Sequence, residues 1–369
     1  MHTSKTDYRI TLDETWIIKA IAIMAMLVHH LFFDQPSFGA IMVNIGMIGK
    51  ICVTLFVFLS GYGMTASFPK VQQNIAKTHI FILCKRYTKF FLNYWFIFFI
   101  AVSVGVFCFG RSLEVAYGEN SNIVKSFMSD MLGQQSFCSY NITWWFNAVI
   151  LGLWLLFPFL YQTMKRRVVC ICMLVFLFAN PNDILLLLNY IAPGLSTYIF
   201  PFTLGIFIAL HIARINRILN IVHPYIVLCV SLVAATVLLF LRGFPVLSGF
   251  TGFAVEPFAT VFVALAVVSL CRVTGRRFVA MQYVGKHSMN MYLTHTFIYG
   301  YFFHNFIYGF KYPILIFLAL FATSLLLSVC IEFVKKRIGF HKLQGKVVGI
   351  INKVGGIQCT NKQYDVRKV

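Results

Sequence analysis

Charge is what this sequence has least of. Of its 369 residues only 11% are Asp, Glu, Lys or Arg, where soluble domains carry about 25%. Acids are the scarcer sign, 11 against 31 Lys and Arg. Hydrophobic residues make up 59%, and the mean hydropathy is +0.80. These values exclude an ordinary soluble domain. A bundle of membrane-spanning helices remains, because a helix satisfies its own backbone in lipid.

Other absences narrow the function. The ten cysteines include no Cys-x-x-Cys and no Cys/His zinc spacing. They are expected as small buried hydrophobes, and no metal is implied. Cys108 and Cys138 flank the longest outside loop, but no spacing motif supports a bridge between them. There is no Gly-x-Ser-x-Gly nucleophile elbow. No internal repeat or coiled coil stands out. Asp7, Asp13 and Glu14 precede the first apolar run and no small-residue cleavage site follows it, so the first helix is expected to stay.

Apolar runs place helices at about 14–33, 40–64, 90–110, 143–164, 168–191, 198–213, 221–241, 251–271, 288–309 and 313–334. The fifth is broken by Asn180-Pro181-Asn182-Asp183. With the N-terminus in the cytoplasm, 25 of the 31 Lys and Arg fall in inside segments. Only Arg111, Lys125, Arg242 and Lys311 fall outside, and Lys19 and Lys50 lie within the membrane. This is the positive-inside pattern, and an odd number of helices would spoil it. It also assigns the net charge of +20 to the inner membrane surface rather than to nucleic acid. The expected fold is an all-α polytopic membrane helix bundle of about ten transmembrane helices, with N- and C-termini cytoplasmic. Residues 1–334 would form the membrane domain. Residues 335–369 would form a basic cytoplasmic tail on the anionic inner leaflet. Oligomeric state is not legible.

The first helix carries ionisable groups that a plain anchor would lack. Lys19, His29 and His30 sit in its apolar run, and Asp34 follows. Ionisable groups in hydrocarbon are costly and face a cavity or a partner. Lys19 and His30 are eleven residues apart, about 20° beyond three full turns, so they share one face about 16 Å apart. His30 can serve as a general base or an acyl carrier.

Further along, Leu55-Phe-Val-Phe-Leu-Ser60-Gly61-Tyr62 ends the second helix, where Ser-Gly also reads as a close-packing device. Lys85, Arg86 and Lys89 open the third and either anchor it or dock an anion such as the phosphates of coenzyme A. Thr143-Trp144-Trp145-Phe146 opens the fourth, as a membrane belt or a sugar-stacking platform. Glu256, beside Pro257, is an intramembrane acid open to proton handling or ion pairing. Glu332 is expected to snorkel or to pair with Lys335 or Lys336. In Gly285-Lys286-His287-Ser288…Tyr292-Leu293-Thr294-His295, Ser288 reads as an N-cap and His295 as a cavity candidate.

These pieces, in this order, resemble the acyltransferase 3 family, integral-membrane enzymes that move acyl groups onto extracytoplasmic glycans. The resemblance rests on Lys19-x10-His30, Phe56-Val-Phe-Leu-Ser60-Gly61-Tyr62, and the basic start of the third helix. The Trp-Trp-Phe start of the fourth with Pro158, and the 285–295 string, complete it. It spans the whole ten-helix region. It departs at Lys19, where the family usually carries Arg, and at Thr54, where it often carries an acid.

The resemblance implies a membrane O-acetyltransferase that takes acetyl from cytosolic acetyl-CoA to a sugar hydroxyl of an extracytoplasmic or lipid-linked polysaccharide. Its catalytic residues would be His30 and Lys19. Lys85, Arg86 and Lys89 would hold the cofactor. Ser60, Tyr62, Trp145, Glu256 and His295 would be cavity residues. A separate partner could complete the transfer. The expected partners are the bilayer and a glycan or lipid-linked oligosaccharide, and the setting a bacterial cytoplasmic membrane. The alternative is a transporter or flippase of a polar lipid-linked sugar.

Overall fold

The structure, a computed structural model, describes residues 6–68, 75–118, 122–134, 139–179, 186–190, 192–244 and 251–355. Its α-helices are α1 (Leu12–Phe32), α2 (Ala40–Gly49), α3 (Ile51–Ala66), α4 (Ile75–Phe109), α5 (Leu113–Tyr117), α6 (Ile123–Met131), α7 (Trp145–Met164) and α8 (Arg167–Ala179). They continue as α9 (Leu186–Asn189), α10 (Leu195–Leu219), α11 (Pro224–Gly243), α12 (Thr251–Thr274), α13 (Val279–Thr296), α14 (His304–Tyr308), α15 (Pro313–Arg337) and α16 (Phe340–Gly355). Among the described residues there is no strand. The protein is a polytopic helical membrane bundle.

Among the described residues, eight stretches are long and apolar enough to cross a membrane: Leu12–Phe32, Ala40–Ala66, Lys77–Phe109, Ile142–Met164, Leu195–Leu219, Pro224–Gly243, Val255–Thr274 and Pro313–Arg337. The second joins α2 and α3 through Lys50. The two further expected spans correspond to α8, with 13 residues, and α13, whose 18 residues are rich in polar side chains. The break expected at Asn180–Asp183 lies outside the described residues, as does Cys138. Cys108 is an exposed free thiol.

Local signals explain the boundaries. Thr11 and Glu14 form a capping box at the start of α1: the Glu14 carboxylate accepts the Thr11 N–H at 2.7 Å, and the Thr11 hydroxyl oxygen accepts the Glu14 N–H at 3.4 Å. Pro224 and Pro313 open α11 and α15, where a missing N–H costs nothing. Two expected starts shift. The third span begins at Ile75 rather than near 90, because its basic first turns are helical though not apolar. The ninth begins at Val279 rather than 288, so Ser288 lies inside α13 and is not an N-cap.

Lipid supplies no hydrophobic drive between helices, so their association rests on close packing and internal polar bonds. The α3–α10 contact shows this. A Cβ on Gly61 would strike the Phe202 carbonyl of α10, and one on Gly205 would strike the Phe58 carbonyl of α3. The two backbones touch because neither residue has a side chain.

Hydrogen bonds gather several helix ends at one face. A strap over residues 6–11 enters α1. The Thr6 N–H donates to Asn220 Oδ1 at 2.8 Å and the Tyr8 N–H to Asn216 Oδ1 at 3.1 Å, at the end of α10. Arg272, at the end of α12, donates to the Asp7 carbonyl at 2.8 Å and pairs with buried Glu14 at 2.5 Å. At the other terminus α15 runs to Arg337. There Lys335 pairs with Glu332 at 2.8 Å, and α16 follows, packed along α4. Residues 356–369 lie outside the described residues.

Candidate functional site

A cavity of about 460 Å³ lies among α1, α3, α4, α7 and α13. Thr11 and Thr15 at the start of α1, and Ser67 just past the end of α3, line one end. His29 and His30 in the last turn of α1, with Thr143 and Trp145, line the other. Nineteen residues of helix separate Thr11 from His30, about 28 Å at 1.5 Å per residue. The cavity therefore follows α1 along its whole length. Lys19 and His30 both line it, as their shared phase requires.

The end near the strap is cationic and aromatic. The Lys19 ammonium lies 4.8 Å from the Trp16 ring centre. The Arg86 guanidinium lies 5.9 Å from the Trp154 ring, and the Trp154 indole N–H donates to the Ser60 hydroxyl at 2.7 Å. Tyr62 lines the wall and its hydroxyl oxygen accepts the Ile10 N–H at 3.0 Å, tying the strap to α3. Lys85 and Lys89 do not line the cavity. Each helical residue turns about 100° from the last, so of the three cations only Arg86 faces inward.

The far end is built on histidines. His30 is half-buried, and its ring centre lies 5.0 Å from that of His295 on α13, which is fully buried. His295 stands behind His30 rather than in the cavity wall. Its Nδ1 lies 2.8 Å from the Tyr292 carbonyl oxygen. A carbonyl only accepts, so Nδ1 carries the proton and Nε2 the lone pair. The Thr296 hydroxyl lies 3.4 Å from that Nε2 and 2.8 Å from the Thr143 hydroxyl, which in turn meets Asn141 Oδ1 at 2.8 Å. Of the tryptophan pair, Trp145 lines the cavity while Trp144 is core, donating to the Leu293 carbonyl at 3.1 Å.

Asn147 and Ser288 also line the cavity and were not singled out as site residues in the sequence. Asn147 Oδ1 accepts from the Tyr292 hydroxyl at 3.3 Å. The available signal was polarity inside an apolar helix, which Asn147 shares with no motif.

Glu256 lies outside the cavity. It is buried against Arg242 of α11 at 2.5 Å, a structural ion pair across the α11–α12 contact. Asp34 is exposed beyond the end of α1. A third buried acid after Glu14 and Glu256, Asp130 of α6, ties together Tyr117 of α5 and residues 139–140. Its Oδ2 accepts from the Tyr140 N–H at 2.6 Å and from the Ser139 and Tyr117 hydroxyls at 3.0 Å. Burial outweighs these donors and pushes its carboxyl up to about 6. Among the described residues no group of three His, Cys, Asp or Glu side chains could hold a metal.

Comparison with known proteins identifies one family. The family model Acyl_transf_3, described as an acyltransferase domain, matches residues 14–333, from the capping box of α1 to the last turns of α15. No curated protein and no solved structure matches the chain.

Proposed function

The chain belongs to the Acyl_transf_3 family of membrane acyltransferases, and from that premise we propose that it is an O-acetyltransferase acting across the cytoplasmic membrane of a bacterium. It takes acetyl from cytosolic acetyl-CoA and places it on a sugar hydroxyl of an extracytoplasmic or lipid-linked polysaccharide. One observation supports this reading above the others: Lys19 and His30 line a single cavity that accompanies α1 from its first turn to its last. An acyl arm entering at the strap end meets His30 about 28 Å away.

The residues divide the work along that path. Arg86 offers a planar cation to the donor's phosphates at the strap end, with Lys85 and Lys89 flanking it on the protein's surface. Lys19 sits deeper, beside the donor's arm on its way to His30. His30 meets the acyl carbon, and Trp145 offers a face on which a sugar ring stacks.

The test is acetyl transfer from labelled acetyl-CoA by purified protein, with mass spectrometry of the host's surface glycans. His30→Ala is expected to abolish glycan acetylation while the protein still inserts. Normal acetyl content in that variant sinks the mechanism. Flux of a lipid-linked sugar without CoA release would instead establish a carrier.

A further inference from the structure

His30 is not the only histidine at the far end of the cavity. His29 lines it as well, turned about 100° around α1. Its Nδ1 lies 2.8 Å from the Gly46 carbonyl oxygen of α2. That carbonyl can only accept, so Nδ1 carries the proton and Nε2 is left as the basic nitrogen. Among the described residues Nε2 has no hydrogen-bond partner. The ring is held from one side by Phe33, with ring centres 4.7 Å apart. His30, by contrast, makes no hydrogen bond among the described residues and packs against the rings of His29, His295 and Tyr299.

The contact that orients His29 is built by two glycines. A Cβ on Gly49 would meet the His29 N at 2.8 Å and its Cβ at 3.0 Å, and one on Gly46 would meet Phe33 Cα at 2.7 Å. Any larger residue at either position would push α2 away from the turn that carries His29. A base whose tautomer is set by a third group is how imidazole is prepared for proton transfer.

We propose that His29 is a second catalytic residue, the general base that deprotonates the acceptor hydroxyl while His30 carries the acetyl group. The inference rests on the acetyltransferase reading above. The chemistry requires two nitrogens. Once the basic ring nitrogen of His30 has attacked the thioester, the C–S bond is broken and CoA leaves as the thiolate, taking a proton from water. The acylated ring, its other nitrogen still carrying a proton, then has no lone pair with which to accept one. In the second step the sugar O–H bond breaks and its proton passes to His29 Nε2. The oxygen bonds the acetyl carbon, the C–N bond to His30 breaks, and His29 releases its proton to water. The ring centres of His29 and His30 are 5.2 Å apart, so one acceptor hydroxyl can reach both.

The experiment compares His29→Asn, His30→Ala and wild type in two assays from acetyl-CoA. One is surface-glycan acetylation in cells. The other is acetyl-hydroxamate formation by purified protein with hydroxylamine, a neutral nucleophile that needs no base. Asn keeps an amide N–H where Nδ1 stood, so the bond to Gly46 survives while Nε2 is lost. His29→Asn is expected to lose about 100-fold in glycan acetylation, within the range of general-base catalysis, and to form hydroxamate within about threefold of wild type. His30→Ala loses both. The inference is overturned if His29→Asn acetylates glycan normally, or if it loses both products equally, which marks a merely structural side chain. If wild type forms neither product, the acetyltransferase reading fails instead.

Discussion

The fully buried ring of His295 stands 5.0 Å behind the ring of His30, centre to centre, across the α1–α13 contact. Through Thr296 and Thr143 it joins the histidine end of α1 to the polar turn that opens α7. Under the proposed mechanism His295 would position His30 rather than touch the substrate.

His295→Ala is expected to lower acetyl transfer about 10-fold to 100-fold by loosening the His30 ring it packs against. His295→Asn, which keeps a donor for the Tyr292 carbonyl, should recover most of the loss. Transfer rates of the two variants check this. A His295→Asn protein no faster than His295→Ala would contradict it.

Glu256→Ala is expected to cost about 3–5 kcal/mol by stranding the Arg242 guanidinium in a buried site. The readout is a lowered melting temperature in detergent. Replacing both partners, Arg242→Met with Glu256→Met, should restore most of the stability and retain transfer. An inactive but stable double variant would return Glu256 to a proton-handling role.

Asp130 gives the loop segment it ties together, from Tyr117 of α5 to Tyr140, a pH dependence whose sign follows from burial. Its carboxyl is raised to about 6 in the fold against 3.8 in water. Between these values the folded state binds the extra proton, so the stabilisation is complete below 3.8 and is lost as pH rises through about 6. Proteolysis of this loop should be slower at pH 5 than at pH 7.5. Asp130→Asn, which keeps an acceptor for the Tyr140 N–H, should flatten the difference.

The strongest signals in the sequence were periodic ones. The phase of Lys19 and His30 survives folding, because eleven residues of regular helix fix it without help from neighbours. Single charges were less legible. Arg86 was one of three adjacent cations, and only its bearing on α4 separates it from Lys85 and Lys89. Arg242 was counted among outside cations, since nothing near it in the chain names Glu256 as its partner. The early start of α13 was hidden because Gln282, Lys286 and His287 interrupt the apolar pattern of its first turns, His287 being bonded to Ser328 at 2.8 Å. In α16 the exposed apolar stripe Leu343, Ile350 and Val354 is legible in retrospect at helical spacing. Three glycines across Phe340–Gly355 mask it.

The strap at the start of α1 bears on the order in which the chain is made. Glu14 is translated 258 residues before Arg272, its buried partner. The Thr6 N–H waits 214 residues for Asn220. A nascent chain holding only its first helices has an acid in α1 without Arg272 to meet it, and a strap whose bonds to α10 and α12 are still missing. The strap end of the cavity is thus among the last parts of the protein to be finished. Chains that stop short of α12 should leave it ajar and fall to membrane quality control.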